Sequence, residues 1–173
     1  LGYVKLADVL LIVNSFKLLD KDGIKTLNAV QPTASLHDLS CVKSTDETLN
    51  QWQIGSRFSE LTTQVWNSVP GVKNLAGNFA IDNNKGSLQL DSNNIVLDMK
   101  GLLRKPIDIT RLAGQVQWQK DESGWSLQAT ELDVSNADIT LRAQMDLLLP
   151  NKGSPVIDLL ADIKNANAAQ TYK

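Results

Sequence analysis

Apolar and polar residues alternate along most of the chain beyond residue 75, and the alternation is written twice. "LAGNFAI" starts at Leu75 and "LAGQVQW" at Leu112, 37 residues later, while "SLQ" recurs at Ser87 and Ser126, 39 residues apart. Self-similarity at such a period marks a stacked array. The first copy carries Phe79 and Ile81, then Leu88 and Leu90, then Ile95, Leu97 and Met99. The second carries Val116 and Trp118, then Ile139, Leu141, Ala143, Met145, Leu147 and Leu149. A period of two sets these side chains on one face of antiparallel strands and the polar residues on the other. "DNNKG" at Asp82, "DSNN" at Asp91 and "KDESG" at Lys120 supply turn residues, so each unit is expected to be a meander of about three strands.

The pattern upstream differs. Residues 6–16 place Leu6, Val9, Leu10, Val13 and Phe16 at spacings of three and four, a helical stripe, although Leu11 and Ile12 lie off it and leave a strand open. A second short helix is expected from Asp22, with Ile24, Leu27 and Val30 on one side and Pro32 as its stop. Residues 33–43 read as extended, "STDETLNQ" as a turn, and Trp52, Ile54 and Phe58 as a further strand. Residues 62–70 suit either one helical turn or a packed loop, and the Pro70-Gly71 stop favours the loop. Pro106 lacks an N–H for a ladder, so "GLLRKPIDITRL" reads as a connection rather than a central strand. Residues 156–163 form a last strand through Ile157, Leu159, Ala161 and Ile163, and the tail "NANAAQTYK" frays or continues.

The expected fold is therefore mostly β: a curved antiparallel repeat sheet forming an open groove, with one or two short N-terminal helices. Residues 1–32 would pack as a helical segment on the sheet, and residues 33–173 would be the repeated meander, part of a longer groove. Residues 139–149 put six apolar side chains on one face of a strand about 40 Å long, well beyond the usual strand of about six residues. Such a face either closes against a second layer or stays open as a trough.

Composition narrows the function. Lys and Arg number 17 against 19 Asp and Glu, a net charge of -2, so no basic field draws nucleic acid to the chain. Cys41 and His37 are each the sole residue of their type and complete neither a disulfide nor a zinc site. The longest apolar run, residues 9–13, is far below the roughly 20 residues a bilayer-spanning helix needs. The chain begins Leu-Gly-Tyr, and reads as a piece of something longer.

No catalytic constellation emerges, and neither an enzyme activity, a cofactor nor a metal is expected. His37 beside Asp38 suggests a general base, yet neighbouring strand residues point to opposite faces. The pairs Asp46-Glu47 and Asp121-Glu122 sit in expected turns. No glycine-rich phosphate loop or nucleophile elbow is present. Trp118 and Trp125 flank the hairpin at residues 120–124, where cross-strand aromatic packing accounts for them; a glycan-binding surface is the competing reading.

One ordered series of residues goes further. "LLRKPIDITRLAGQVQWQKDESGWSLQATELDVSNADITL", residues 102–141, resembles the AsmA-like envelope proteins, in particular their YhdP-like branch. The resemblance rests on Pro106, Leu112 to Gly114, Trp118 with Trp125, and Asn136 to Asp138, and upstream on Trp66, Pro70, Gly71, Leu75 and Gly77. It implies the periplasmic portion of an inner-membrane-anchored envelope protein of a Gram-negative bacterium. The β-groove of such a protein would conduct phospholipids between inner and outer membrane.

Physical chemistry gives that function a rationale. Roughly thirty acyl methylenes at about 0.8 kcal/mol each, of order 25 kcal/mol, oppose passage of a bare lipid through water. The implied partners are phospholipid acyl chains, and inner- and outer-membrane proteins at the ends of the parent chain. The groove lining would comprise Leu88, Leu90, Ile95, Leu97, Met99, Ile139, Leu141, Ala143, Met145, Leu147, Ile157, Leu159 and Ile163. The alternative is a closed-core structural or glycan-binding β-sandwich module of the cell envelope.

Overall fold

In the computed structural model, which describes residues 4–6, 8, 21–43, 52–66, 70–100 and 105–166, the strands form one antiparallel sheet laid down in chain order. They are β1 (Val4–Lys5), β2 (Thr33–Lys43), β3 (Trp52–Thr63), β4 (Gly71–Asp82), β5 (Lys85–Asp98), β6 (Ile107–Lys120), β7 (Gly124–Ser135), β8 (Ile139–Pro150) and β9 (Val156–Ala166). The sheet is open, with β1 and β9 at its edges. Helix α1 (Lys21–Val30) precedes β2.

Helix α1 ends where the sequence places its stop. Gln31 takes a left-handed conformation (φ 45°) ahead of Pro32, and its N–H closes a last turn on the Leu27 carbonyl at 2.9 Å. The Val30 carbonyl then accepts the Gln64 N–H at 2.7 Å, tying the helix end to the exit of β3. Of the expected helix over residues 6–16, only Leu6 and Asp8 lie among the described residues. The expected turn at residues 44–51, with Asp46-Glu47, and residues 167–173 of the tail lie outside them.

Side chains close the tight turns. Asp121 Oδ1 accepts from the N–H groups of Ser123 (2.7 Å) and Gly124 (3.2 Å), and these bonds, with the Ser123 hydroxyl foremost, hold the Asp121 carboxyl below its usual range. Asn136 Oδ1 likewise accepts from Asp138 N–H (2.9 Å) and Ile139 N–H (2.8 Å). These Asx turns mimic a backbone turn and fix where the next strand begins.

Three expectations need correction. "DSNN" at Asp91 is not a turn; β5 runs through it, so each repeat unit is two long strands rather than three short ones. Ile107 to Leu112 is not a connection, because β6 begins there and lies between β5 and β7. Pro106 stands just outside the strand, where no ladder N–H is required of it. Finally, Thr62 and Thr63 still belong to β3, and Gln64 to Trp66 and Pro70 are the described residues of the expected loop that lie outside the strands.

The long strands bend at a line of irregularities. Asp38 in β2, Glu60 in β3, Asn74 in β4, Asn94 in β5 and Glu131 in β7 all have positive φ, between 50° and 63°. A left-handed residue in a strand adds twist and changes which parity faces which side. In β5 the buried positions are Leu90 and Ser92 before Asn94, and Ile95 directly after it. Between Lys73↔Val96 and Gly77↔Leu90, three residues of β4 oppose five of β5.

Hydroxyls fill the ladder gaps this creates. Ser92, 1% exposed, donates to the Ala76 carbonyl (2.7 Å) and accepts from the Ala76 N–H (2.8 Å). Ser56 donates to the His37 carbonyl at 2.8 Å beside the β2 irregularity, and Thr63 accepts from Val72 N–H at 3.1 Å. A half-buried peptide group at these three places thus keeps a partner without a straight strand.

The core gathers on the apolar side of the first strands. Leu36, Phe58 and Leu90 are buried together, and Leu6, Ala34, Leu61, Leu75, Phe79, Leu88, Leu112 and Val116 pack around them. Phe58 and Phe79 meet with ring centroids 6.4 Å apart. Of the residues described ahead of α1, Leu6 packs against this cluster.

Candidate functional site: a continuous apolar face

The registers join apolar residues into rows that run across the strands. One row is Phe79, Leu88, Val116, Ala129, Met145 and Leu159, each opposite the next, from β4 to β9 without a polar interruption. A second runs Ile81, Gly86, Trp118, Leu127, Leu147 and Ile157. On the far side of the bulges, Leu112, Val134, Leu141 and Ile163 form a third. Because side chains alternate with period two, all three rows share one face.

Most of the expected lining falls on these rows. Leu88, Met145 and Leu159 lie in the first, Leu147 and Ile157 in the second, and Leu141 and Ile163 in the third. Ala143, buried, sits between Leu132 and Ala161, and Leu90, also buried, between Gly77 and Gly114. Ile95 and Leu97 oppose Ile109 and Ile107 beyond Asn94, Ile139 opposes Ala166, and Met99 lies just past the end of β5.

Strands β6 and β7 add Val116, Trp118, Leu127, Ala129, Leu132 and Val134, which the expected lining omits. Their signal is present in "SLQATELDV": Leu127 and Ala129 are two apart, and Leu132 and Val134 are two apart, with Glu131 in the break. A missed bulge looks like lost periodicity.

Exposure grades along the rows. Ile95 and Ala129 are 1% exposed, whereas Ile157, Leu159 and Ile163 on β9 are 56–61% exposed. The last strand presents apolar side chains on its other parity as well, at Val156 and Leu160. A concavity of about 820 Å³ lies across the hairpin end of β2 to β8, and Leu147 is the residue of the expected lining that borders it. Amides of Gln117, Gln119 and Gln128 border it too, beside Ile54, Ile81 and Trp118.

The opposite parity carries the charge. Arg57 meets Asp38 at 3.1 Å, Arg111 meets Asp91 at 3.0 Å, and Arg142 meets Asp133 at 2.9 Å. The Arg142 hydrogen bond holds the Asp133 carboxyl below its usual range, and Asp133 in turn raises the Arg142 guanidinium. His37 Nε2 lies 3.1 Å from Ser59 Oγ, and Asp38 faces Arg57 rather than serving a base. Asp121 and Glu122 occupy the expected turn, and among the described residues no cluster of three or more His, Cys, Asp and Glu has metal-binding spacing.

The tryptophans do not pair across their hairpin. Trp118 faces Leu127 and lays its ring over Gly86, where a β-carbon would collide with the indole. Trp125 faces Lys120 instead.

The family model for the YhdP protein matches residues 1–173. The chain belongs to the YhdP family. Among curated proteins, the intermembrane phospholipid transporter YhdP of Escherichia coli (strain K12) is 21% identical over 148 residues, covering 84% of this chain and 11% of that protein. This YhdP-family chain thus spans a small part of its relative's length. No solved structure matches it.

Proposed function

We infer that the chain is one segment of a bridge-like protein that conducts phospholipids between the two membranes of a Gram-negative envelope. The observation that carries this reading is the row from Phe79 to Leu159, apolar across six strands and still uncovered at β9. At about 4.8 Å per strand this row offers roughly 25 Å of track. Acyl chains lying on it lose most of the hydrocarbon exposure that opposes passage through water. The relative named as an intermembrane phospholipid transporter supports the same reading, as does its far greater length.

The track needs no catalytic residue and no cofactor, and the protein is read as a carrier rather than an enzyme. The segment lies in the periplasm, in a parent chain anchored in the inner membrane, with membrane proteins as partners at its ends. Residues 1–32 would close the apolar face at the β2 side, over Leu90 and its neighbours, and the lining on β8 and β9 from Met145 and Leu147 to Ile157, Leu159 and Ile163, with Trp118 and Leu127 beside it, forms the open remainder.

The test is a charge placed across the track. Met145→Asp with Leu159→Asp, on facing positions of β8 and β9, is expected to stop phospholipid transfer by the parent protein between donor and acceptor membranes. Charged substitutions at Gln144 and Leu160, facing the other way, should leave it running. Full transfer by a folded Met145→Asp, Leu159→Asp variant contradicts the reading.

A further inference from the structure

Two lysines lie over tryptophan rings at the same end of the strands. Lys43, the last residue of β2, faces Trp52, the first of β3, with Nζ 5.5 Å from the ring centroid. Lys120, the last residue of β6, faces Trp125 of β7, with Nζ 5.3 Å from that centroid. Strands β2 and β6 run in the same direction, since each neighbour in the sheet reverses it, so both pairs stand at one end of the strands. Both also have the apolar parity: Trp52 alternates with Ile54 and Phe58, and Trp125 with Leu127 and Ala129. They mark the rim where the apolar face ends.

Their charges are unspent. Lys85, in the hairpin between them, is 3.9 Å from Asp82, but among the described residues neither Lys43 nor Lys120 has a carboxylate within ion-pair distance. The nearby Asp121 carboxylate is engaged by Ser123 and Gly124, and Glu122 is exposed in the same turn. An ammonium held against an indole face keeps its N–H donors pointing outward. From Trp125 to Glu131 the strand offers roughly 20 Å of face between rim and bulge, enough for a long acyl chain.

We propose that Lys43 with Trp52 and Lys120 with Trp125 form headgroup subsites, each ammonium binding the phosphodiester of a lipid whose acyl chains lie on the apolar face. This rests on the lipid-conducting reading and adds to it what the rim recognises: a phosphate, with the indole seated at the boundary between hydrocarbon and water. Trp and Lys at such a boundary bury an apolar body and keep a polar end wet.

The test places a photo-crosslinking residue at Leu141 of the parent protein and supplies vesicles of phosphatidylglycerol or of diacylglycerol in a neutral carrier lipid. In Lys43→Gln, Lys120→Gln protein, capture of phosphatidylglycerol is expected to fall about fivefold or more, the effect of one lysine near an anionic lipid, while diacylglycerol capture is unchanged. Lys→Arg at both positions should restore it. Inorganic phosphate at millimolar concentration should not compete; if it displaces the lipid, the subsites are free-phosphate sites and the headgroup assignment falls. Equal loss of both lipids, or no loss of phosphatidylglycerol, also overturns the subsites while leaving the acyl track standing. No capture of either lipid by the unsubstituted protein overturns the track and the subsites together.

Discussion

The first strands and the last strands carry the same alternating pattern, yet β2 to β5 enclose their apolar face and β9 leaves it open. In the first region Leu36, Phe58 and Leu90 are buried together with Leu6 packed against them; in the last, Ile157, Leu159 and Ile163 are more than half exposed. Periodicity specifies which side chains share a face but not what covers it. Stability is therefore expected to reside in the covered region, and transport in the uncovered one.

The largest effect should separate the two directly. Phe58→Ala removes a buried ring and is expected to cost about 3–5 kcal/mol, read as a lower denaturant midpoint. Ile163→Ala on β9 should cost less than about 0.5 kcal/mol. Comparable losses at the two positions would mean that the last strands are covered after all.

The bulges come next. Ser92→Ala leaves the buried N–H and carbonyl of Ala76 without their hydroxyl partner and should cost about 1–3 kcal/mol. Gly86→Ala forces the Trp118 indole off the sheet, with an expected loss of about 1–3 kcal/mol and a change in tryptophan emission. Glu131 holds a left-handed conformation that Asn adopts more readily, so Glu131→Asn should raise stability by about 0.5–1 kcal/mol. That gain would locate strain at the bend itself.

The smallest effect concerns the charged face. Asp133 has its folded-state pKa lowered, chiefly by the Arg142 hydrogen bond, so its contribution is present above the unfolded value of about 3.9 and is lost as pH falls through the lower folded value. Arg142→Gln should therefore narrow the stability difference between neutral pH and acid below about pH 4. Because both groups are solvent-exposed, the change will be slight and screened by salt.

Strand β8 and most of β9 were legible in the sequence, because their alternation is unbroken from Ile139 to Leu149 and from Ile157 to Ile163; the last residues of β9, to Ala166, carry no apolar period. Where a strand contains a left-handed residue, the alternation slips by one, and "DSNN" then has the composition of a turn although β5 passes through it. Asn and Asp suit both structures, so composition does not separate them. The lining residues of β7 were missed for the same reason, at Glu131. Pro106 misled in another way: the argument against proline in a ladder holds, but the strand begins one residue later. The packing of Leu6 against the cluster of Leu36, Phe58 and Leu90 was not legible, because an apolar stripe near the N-terminus does not state which part of a long sheet it meets.

If one face of the sheet carries acyl chains, strand β8 reports it residue by residue. Photo-crosslinkers would be placed in turn at residues 141–147 of the parent protein in cells, and attached phospholipid scored. Lipid on Leu141, Ala143, Met145 and Leu147, with none on Arg142, Gln144 and Asp146, is the predicted result. Lipid at neither parity, in folded and abundant protein, would contradict it and make the sheet a closed structural module.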